Sequence, residues 1–302
     1  MATDQDLSCS GTVPLPGNPY LALHPHYGML LGVTDFETEQ AYHRGKMRLH
    51  NAWAHGWGVL WGLGVSVDAA KGEVAVAAGL ALDGRGRELH NDLAQCLHVG
   101  RWFQAHRNDA GFEFTDVDGV IGFDAHVRIG HHACLTSPVP ALADGCGNDA
   151  AGIAHSRVLE TVFIELVPGL APPRSHRNHL LRVLAGLDAA LLDEDGNVLP
   201  ADQAALDARA AIAAAPAADR PAAAAAALHT LAVADSLADM PATAADPDDT
   251  DGHLYPAAGP QTLALADLRG VTLTPQGDGF ALAVTAVDNQ VRSVLLATAA
   301  LA

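Results

Sequence analysis

The sequence predicts an α+β protein: an N-terminal helix followed by an antiparallel β-meander, a helical middle segment and a small C-terminal β-unit. Three observations carry that reading. Apolar and polar residues recur at three- and four-residue steps from about Asp35 to Ala54, then switch to a period of two after His55. Residues 203–239 are dominated by alanine, with Ala222 to Ala227 unbroken, which favours helix. Short alternating runs around Gly277-Asp278-Gly279 and Asp288-Asn289-Gln290 close the chain as strands.

Residues 1–20 hold Gly11, Pro14, Pro16, Gly17 and Pro19, too many breakers for a regular element, so they read as an extended Pro-rich arm. A helix plus antiparallel β domain is expected over 21–170. Its helix starts at Thr34-Asp35-Phe36-Glu37, where Thr34 can cap the first turn and Glu37 can reach back. Phe36, Gln40, His43, Met47, His50 and Ala54 share one helix face; Asp35, Glu39, Tyr42, Lys46, Leu49 and Trp53 form the neighbouring one.

After His55, the bulky residues Val59, Trp61, Leu63, Val65 and Val67 alternate with Gly58, Leu60, Gly62, Gly64 and Ser66. One strand face is filled and the other nearly bare, so a second backbone can approach the glycine side closely. A returning strand over 73–77 and a hairpin at Asp83-Gly84-Arg85-Gly86 complete a small meander over 56–90. Trp53, Trp57 and Trp61, set among these glycines, are expected in the core. The Gly84-Arg85-Gly86 triplet lacks the following helix and lysine of a phosphate cradle.

A short helix is expected over 100–107. Strands follow at Asp124–Ile129 and Ser156–Leu166, with an irregular loop from Cys134 to Gly147 between them. The middle segment, 171–245, resumes helical spacing from His179 to Leu192 and is divided later by Pro216 and Pro221. Residues 246–259 read as an acidic linker, and 260–302 as the C-terminal β-unit with strands over 270–274, 280–286 and 291–296.

Charge narrows the function classes. Thirty-five Asp and Glu against 17 Lys and Arg give a net charge of -18, which repels a phosphate backbone and disfavours nucleic acid as a partner. No run of 18 or more apolar residues argues for membrane insertion, and Met1-Ala2-Thr3-Asp4-Gln5-Asp6 lacks the basic start of a signal peptide. A cytoplasmic protein is therefore expected, one open to incorporation into a released particle. The four cysteines are too few for a disulfide framework in 302 residues and are expected as thiols.

Two constellations offer chemistry. His24, His26, His43, His50 and His55, with Glu39 one helical turn before His43, bring imidazoles and a carboxylate toward one helix face. His132, Cys134 and Cys146, flanked by His131 and His155, supply the nitrogen and thiolate ligands that tetrahedral zinc prefers. Zinc or another transition metal is the cofactor either set would take; no other cofactor is expected. The spacing matches neither paired CxxC knuckles nor HExxH, and cysteines also pack as small apolar groups. Ser156 beside His155 makes no triad, because neighbours on a strand face opposite ways. No catalytic residue is assigned.

Several stretches together resemble a set of uncharacterised bacterial proteins encoded beside phage-tail-like contractile injection systems. They are Gly28-Met29-Leu30-Leu31, the helix with Asp35, Phe36, Glu39, Gln40, Tyr42, His43 and Lys46, His55-Gly56-Trp57-Gly58-Val59, and Gly79-Leu80-Ala81-Leu82-Asp83 with Gly86-Arg87-Glu88. The likeness spans most of 26–167 and the last 35 or so residues, and its β portion is similar to the small β-domain near baseplate and fibre attachment points. It implies a structural or adaptor component that contacts other protein subunits as a homo- or hetero-oligomer. His24, His26, His50 and His132 depart from that set, which keeps a histidine-rich metal-binding protein, with metal-dependent enzyme activity, as the rival. A binder of small molecules or carbohydrate through an exposed Trp edge is the third reading.

Overall fold

The computed structural model describes residues 10–12, 15, 17–140, 153–172, 177–193, 195–238, 240, 254–257, 259–277 and 279–289. It is an α+β fold in which a long strand organises almost everything else. The first helix, α1, runs Val33–His50 and continues as a π turn, Asn51–His55. Its N-terminus is set by Gly32 and not by Thr34: the Asp35 carboxylate accepts the Gly32 N–H at 2.8 Å, while the Thr38 hydroxyl turns back to the Thr34 carbonyl.

The expected meander divides into two three-stranded sheets. Strands β2 (Gly58–Gly62), β5 (Gly79–Leu82) and β6 (Glu88–Asn91) form one, and β3 (Val65–Asp68), β4 (Glu73–Val76) and β7 (Gln95–His98) the other. The division falls where Gly62 (φ 67°) and Leu63 (φ 58°) enter left-handed backbone and pass the chain from one sheet to the next. A Cβ on Gly62 would stand 2.1 Å from the Ala78 carbonyl oxygen, so the bare glycine face serves this strand crossing. The alternation also breaks within β2, where its register on β5 shifts between Val59 and Trp61: Val59 and Leu63 are buried, but Trp61 is 52% exposed. Of the three expected core tryptophans only Trp57 is fully buried, and Trp53 is half-buried.

At the hairpin after β5, the buried Asp83 carboxylate accepts the backbone N–H groups of Arg85 and Arg87 and the Arg87 side chain. Helix α2 (Val99–His106) follows β7. Strands β8 (Thr115–Val117), β9 (Val120–Pro140), β10 (Ile153–Pro168), β11 (Thr262–Gln276) and β12 (Gly279–Asn289) form the main sheet, which short β1 (Ser10–Thr12) joins. One edge of β9 carries β10 and β8, and the other carries β11 and β1. The C-terminal strands join this sheet, β11 lying between β9 and the edge strand β12 and pairing with β9 from Thr262↔Gly130 to Leu273↔Ile121.

Residues 134–140 are likewise strand and not irregular loop, despite Pro138 and Pro140. Beyond the β1 pairing at Cys134 and Leu135, the described register shows only β10 along β9, where a proline lacking N–H is tolerated. The rest of the expected loop, and the strand expected over 291–296, lie outside the described residues. An apolar core joins the three sheets: Phe103, Phe112 and Phe123 meet with ring centroids 5.4–5.9 Å apart, beside Val127, Ile129, Leu263 and Leu268.

The middle segment forms α3 (His179–Ala185), α4 (Pro200–Ala214) and α5 (Arg220–Ala238). Pro216 separates α4 from α5 as expected, and the Arg220 guanidinium caps α4 by donating to the Ala213 and Ala215 carbonyls. These helices have a core of their own, Leu180, Val183, Ala205 and Leu231. By length and composition α5 is apolar enough to cross a membrane, a property its alanines confer and the search for uninterrupted apolar runs missed. Here it turns Leu231 and Asp235 into the helical unit.

Candidate functional site

The feature best formed for contact lies where α1 widens into the π turn. Tyr20 from the N-terminal arm, Lys46, Leu49, His50, Trp53 and Ala54 from the helix, and Leu254 line an open cleft of about 720 Å³. The arm reaches this place because α1 is bare there. A Cβ at Gly45 would meet Asn18 and Pro19 backbone atoms at 2.7–2.9 Å, and the Asn18 N–H donates to the Ala41 carbonyl. π turns are often found where function needs a displaced side chain; this one is anchored by the Asn51 amide, which donates to the Gly86 carbonyl.

Trp53 forms a wall, its indole N–H donating to the Leu254 carbonyl at 2.8 Å and its ring facing the Arg177 guanidinium 5.6 Å away. Lys46 Nζ stands 5.6 Å from the Tyr20 ring and 5.5 Å from the Tyr42 ring. His50 and His55 meet edge to face, with centroids 5.2 Å apart. Aromatic faces, two cations and an imidazole suit contact with a partly apolar, acidic surface. Among the described residues, the lining contains no hydroxyl nucleophile beyond the Tyr20 phenol and no carboxylate to work with His50 as an acid–base pair.

His24 and His26 stand exposed on the segment before α1, where His26 Nδ1 contacts the Tyr27 carbonyl. His43 bonds Glu39 within its own helix at 2.9 Å. In the second set, residues 131–134 are strand, so His131 and His132 face opposite ways while His132 shares a face with Cys134. His131 Nε2 goes to Glu160 at 3.0 Å. Cys134 is buried and disulfide-bonded, not a thiol, so it has no thiolate to offer a metal. Cys146 lies outside the described residues. Among the described residues, no group of three or more His, Cys, Asp or Glu side chains is placed to hold a metal ion.

Two ionic clusters escaped the sequence reading. Glu160 on β10 receives His131 and faces Arg44 and Arg48 of α1 at 3.9 and 3.8 Å, fastening the helix to the main sheet. The His131 hydrogen bond, then the attraction of Arg48, holds its carboxyl below the usual range despite partial burial. In the helical unit, His179 Nε2 meets Asp202 at 2.6 Å while its Nδ1 lies 3.5 Å from Asp188, which Arg182 grips with two bonds. The Asp188 carboxylate, then that of Asp202, raises the imidazole above its ordinary value against the opposing effect of burial. Asp235 accepts the Leu180 and Leu181 N–H groups at the start of α3. His179 and Asp202 lie 23 residues apart, His131 and Glu160 29, and Leu180 and Asp235 55, so local spacing gives no sign of these pairs. Each cluster is consumed in holding elements together.

No protein-family model matches the chain, and no curated protein matches it.

Proposed function

We propose that the chain is a structural or adaptor component of a phage-tail-like contractile particle and acts through protein–protein contacts. The observation that carries this reading is the apolar surface over residues 20–36. Tyr27 and Leu30 are 105% and 94% exposed, and Tyr20, Leu21, Leu31, Val33 and Phe36 stand open beside them. Exposed apolar area is unfavourable in water by about 25 cal/mol per Å², so a contiguous run of this kind favours a covering partner. The cleft beside Trp53 adds aromatic and cationic contacts next to that surface. The resemblance of residues 26–167 supports the type of assembly. A released particle also carries its subunits into oxidising surroundings, where a disulfide such as that of Cys134 persists.

The test mixes the purified full chain with purified baseplate and tube proteins of a contractile particle from the same source and measures mass by light scattering. A complex of fixed stoichiometry is expected, lost in the Tyr27→Asp/Leu30→Asp variant with circular dichroism unchanged. Absence of any complex for the unaltered chain at about 50 µM overturns the proposal.

A further inference from the structure

The exposed face of α1 carries a pattern that the fold of a single chain does not use. Val33, Phe36, Gln40, His43, Met47 and His50 follow one another at steps of three, four, three, four and three, the spacing of a heptad seam. All six are exposed, Val33 by 74% and Phe36 and Met47 by 57% each. The helix is attached through its other side, where Ala41 and Gly45 are buried and Arg44 and Arg48 turn toward Glu160. The seam is flanked by Glu37 and Arg44 along one margin and by Glu39 and Lys46 along the other. Acidic residues thus occupy the N-terminal half of both margins and basic residues the C-terminal half.

We infer that a second copy of this chain covers the α1 seam, with the two helices antiparallel. Parallel pairing leaves Lys46 facing the partner's uncharged Asn51 and offers Glu39 only the partner's Arg44, which Glu160 already holds. Antiparallel pairing sets Glu37 against the partner's Arg44 and Glu39 against the partner's Lys46, on both margins and twice over by symmetry. The same alignment brings Phe36 against the partner's Met47, Gln40 against the partner's His43 and Val33 against the partner's His50. Phe36 and Met47 form a sulfur–aromatic pair at each end. Gln40 and His43 put hydrogen-bonding groups at the centre, which fixes register and lowers affinity. Arg44 already lies near Glu160, and Glu39 already bonds His43, so the margins are held in place before pairing. This inference does not rest on the particle reading: a chain that stays monomeric can still bind particle proteins through Tyr27 and Leu30.

Charge exchange on the full-length chain tests it by sedimentation velocity. The unaltered protein is expected to be a dimer at about 100 µM that dissociates on dilution. Glu39→Lys and Lys46→Glu alter exposed or half-exposed positions, and each alone is expected to weaken self-association at least about tenfold. An equimolar mixture of the two variants restores the dimer, because each meets its complement. A monomeric unaltered chain at that concentration, variants that dimerise alone, or a mixture that does not recover overturns the inference. Circular dichroism confirms that both variants keep their helix.

Discussion

Around β9, Phe103, Phe112, Phe123 and Leu268 meet in an apolar cluster, whereas between α3, α4 and α5 four small or medium apolar residues share the interior with His179, Asp188 and Asp202. The first region is held by area, the second by a few charged groups that must all be present. Alanine explains the contrast. A helix such as α5 saves backbone free energy with each alanine but brings little side-chain surface to its neighbours, so burial alone leaves the unit weak. Asp235 at the start of α3 and Asp202 beside His179 supply direction where packing does not.

The comparison is broken most severely in the sheet region. Phe103→Ala leaves a cavity among Phe112, Phe123 and Phe280 and is expected to lower stability by about 4 kcal/mol, read as a shift in denaturant midpoint. In the helical unit, Asp202→Ala strands His179 and removes the acceptor for the Leu191 N–H; about 3 kcal/mol is expected. Hydrogen exchange separates the two cases: Asp202→Ala speeds exchange in α3 to α5 and leaves Val127 and Ile129 protected. The smallest effect sharpens the contrast without mutation. Because His179 is raised, its contribution is complete below its unfolded value near 6.5 and is lost as pH climbs through the higher folded value. Exchange in α3 should therefore quicken from pH 7 to 9, beyond the intrinsic base catalysis, and not do so in a His179→Gln chain.

How much of this was legible depends on how far apart the partners lie. The helix from 33 to 55, the hairpin at Asp83 and the break at Pro216 follow from neighbouring residues, and the sequence carries them. The place of β11 does not, because Thr262 pairs with Gly130 far back in the sequence and each run alternates equally well alone. His43 and His50 stand exposed on one face of α1, as their spacing implies, and His50 lines a cleft with Tyr20, Trp53 and Leu254, which local spacing does not show. In the zinc constellation His132 and Cys134 stand two apart on a strand and share a face, but Cys134 is held in a disulfide and Cys146 lies outside the described residues. Trp61 turns outward because the register of β2 on β5 shifts between Val59 and Trp61, and this bulge breaks the period of two that would place it inside.

The π turn at Asn51–His55 has a bearing on how long any seam along α1 can be. An inserted residue rotates everything after it, so the three-four spacing that runs from Val33 cannot continue in line beyond His50. The usable rod is the 18 residues of α1, about 27 Å at 1.5 Å per residue. A grip of that length, with Gln40 and His43 at its middle, releases quickly. Copies joined this way exchange readily, as suits subunits that must sort themselves into the right places before an assembly is locked.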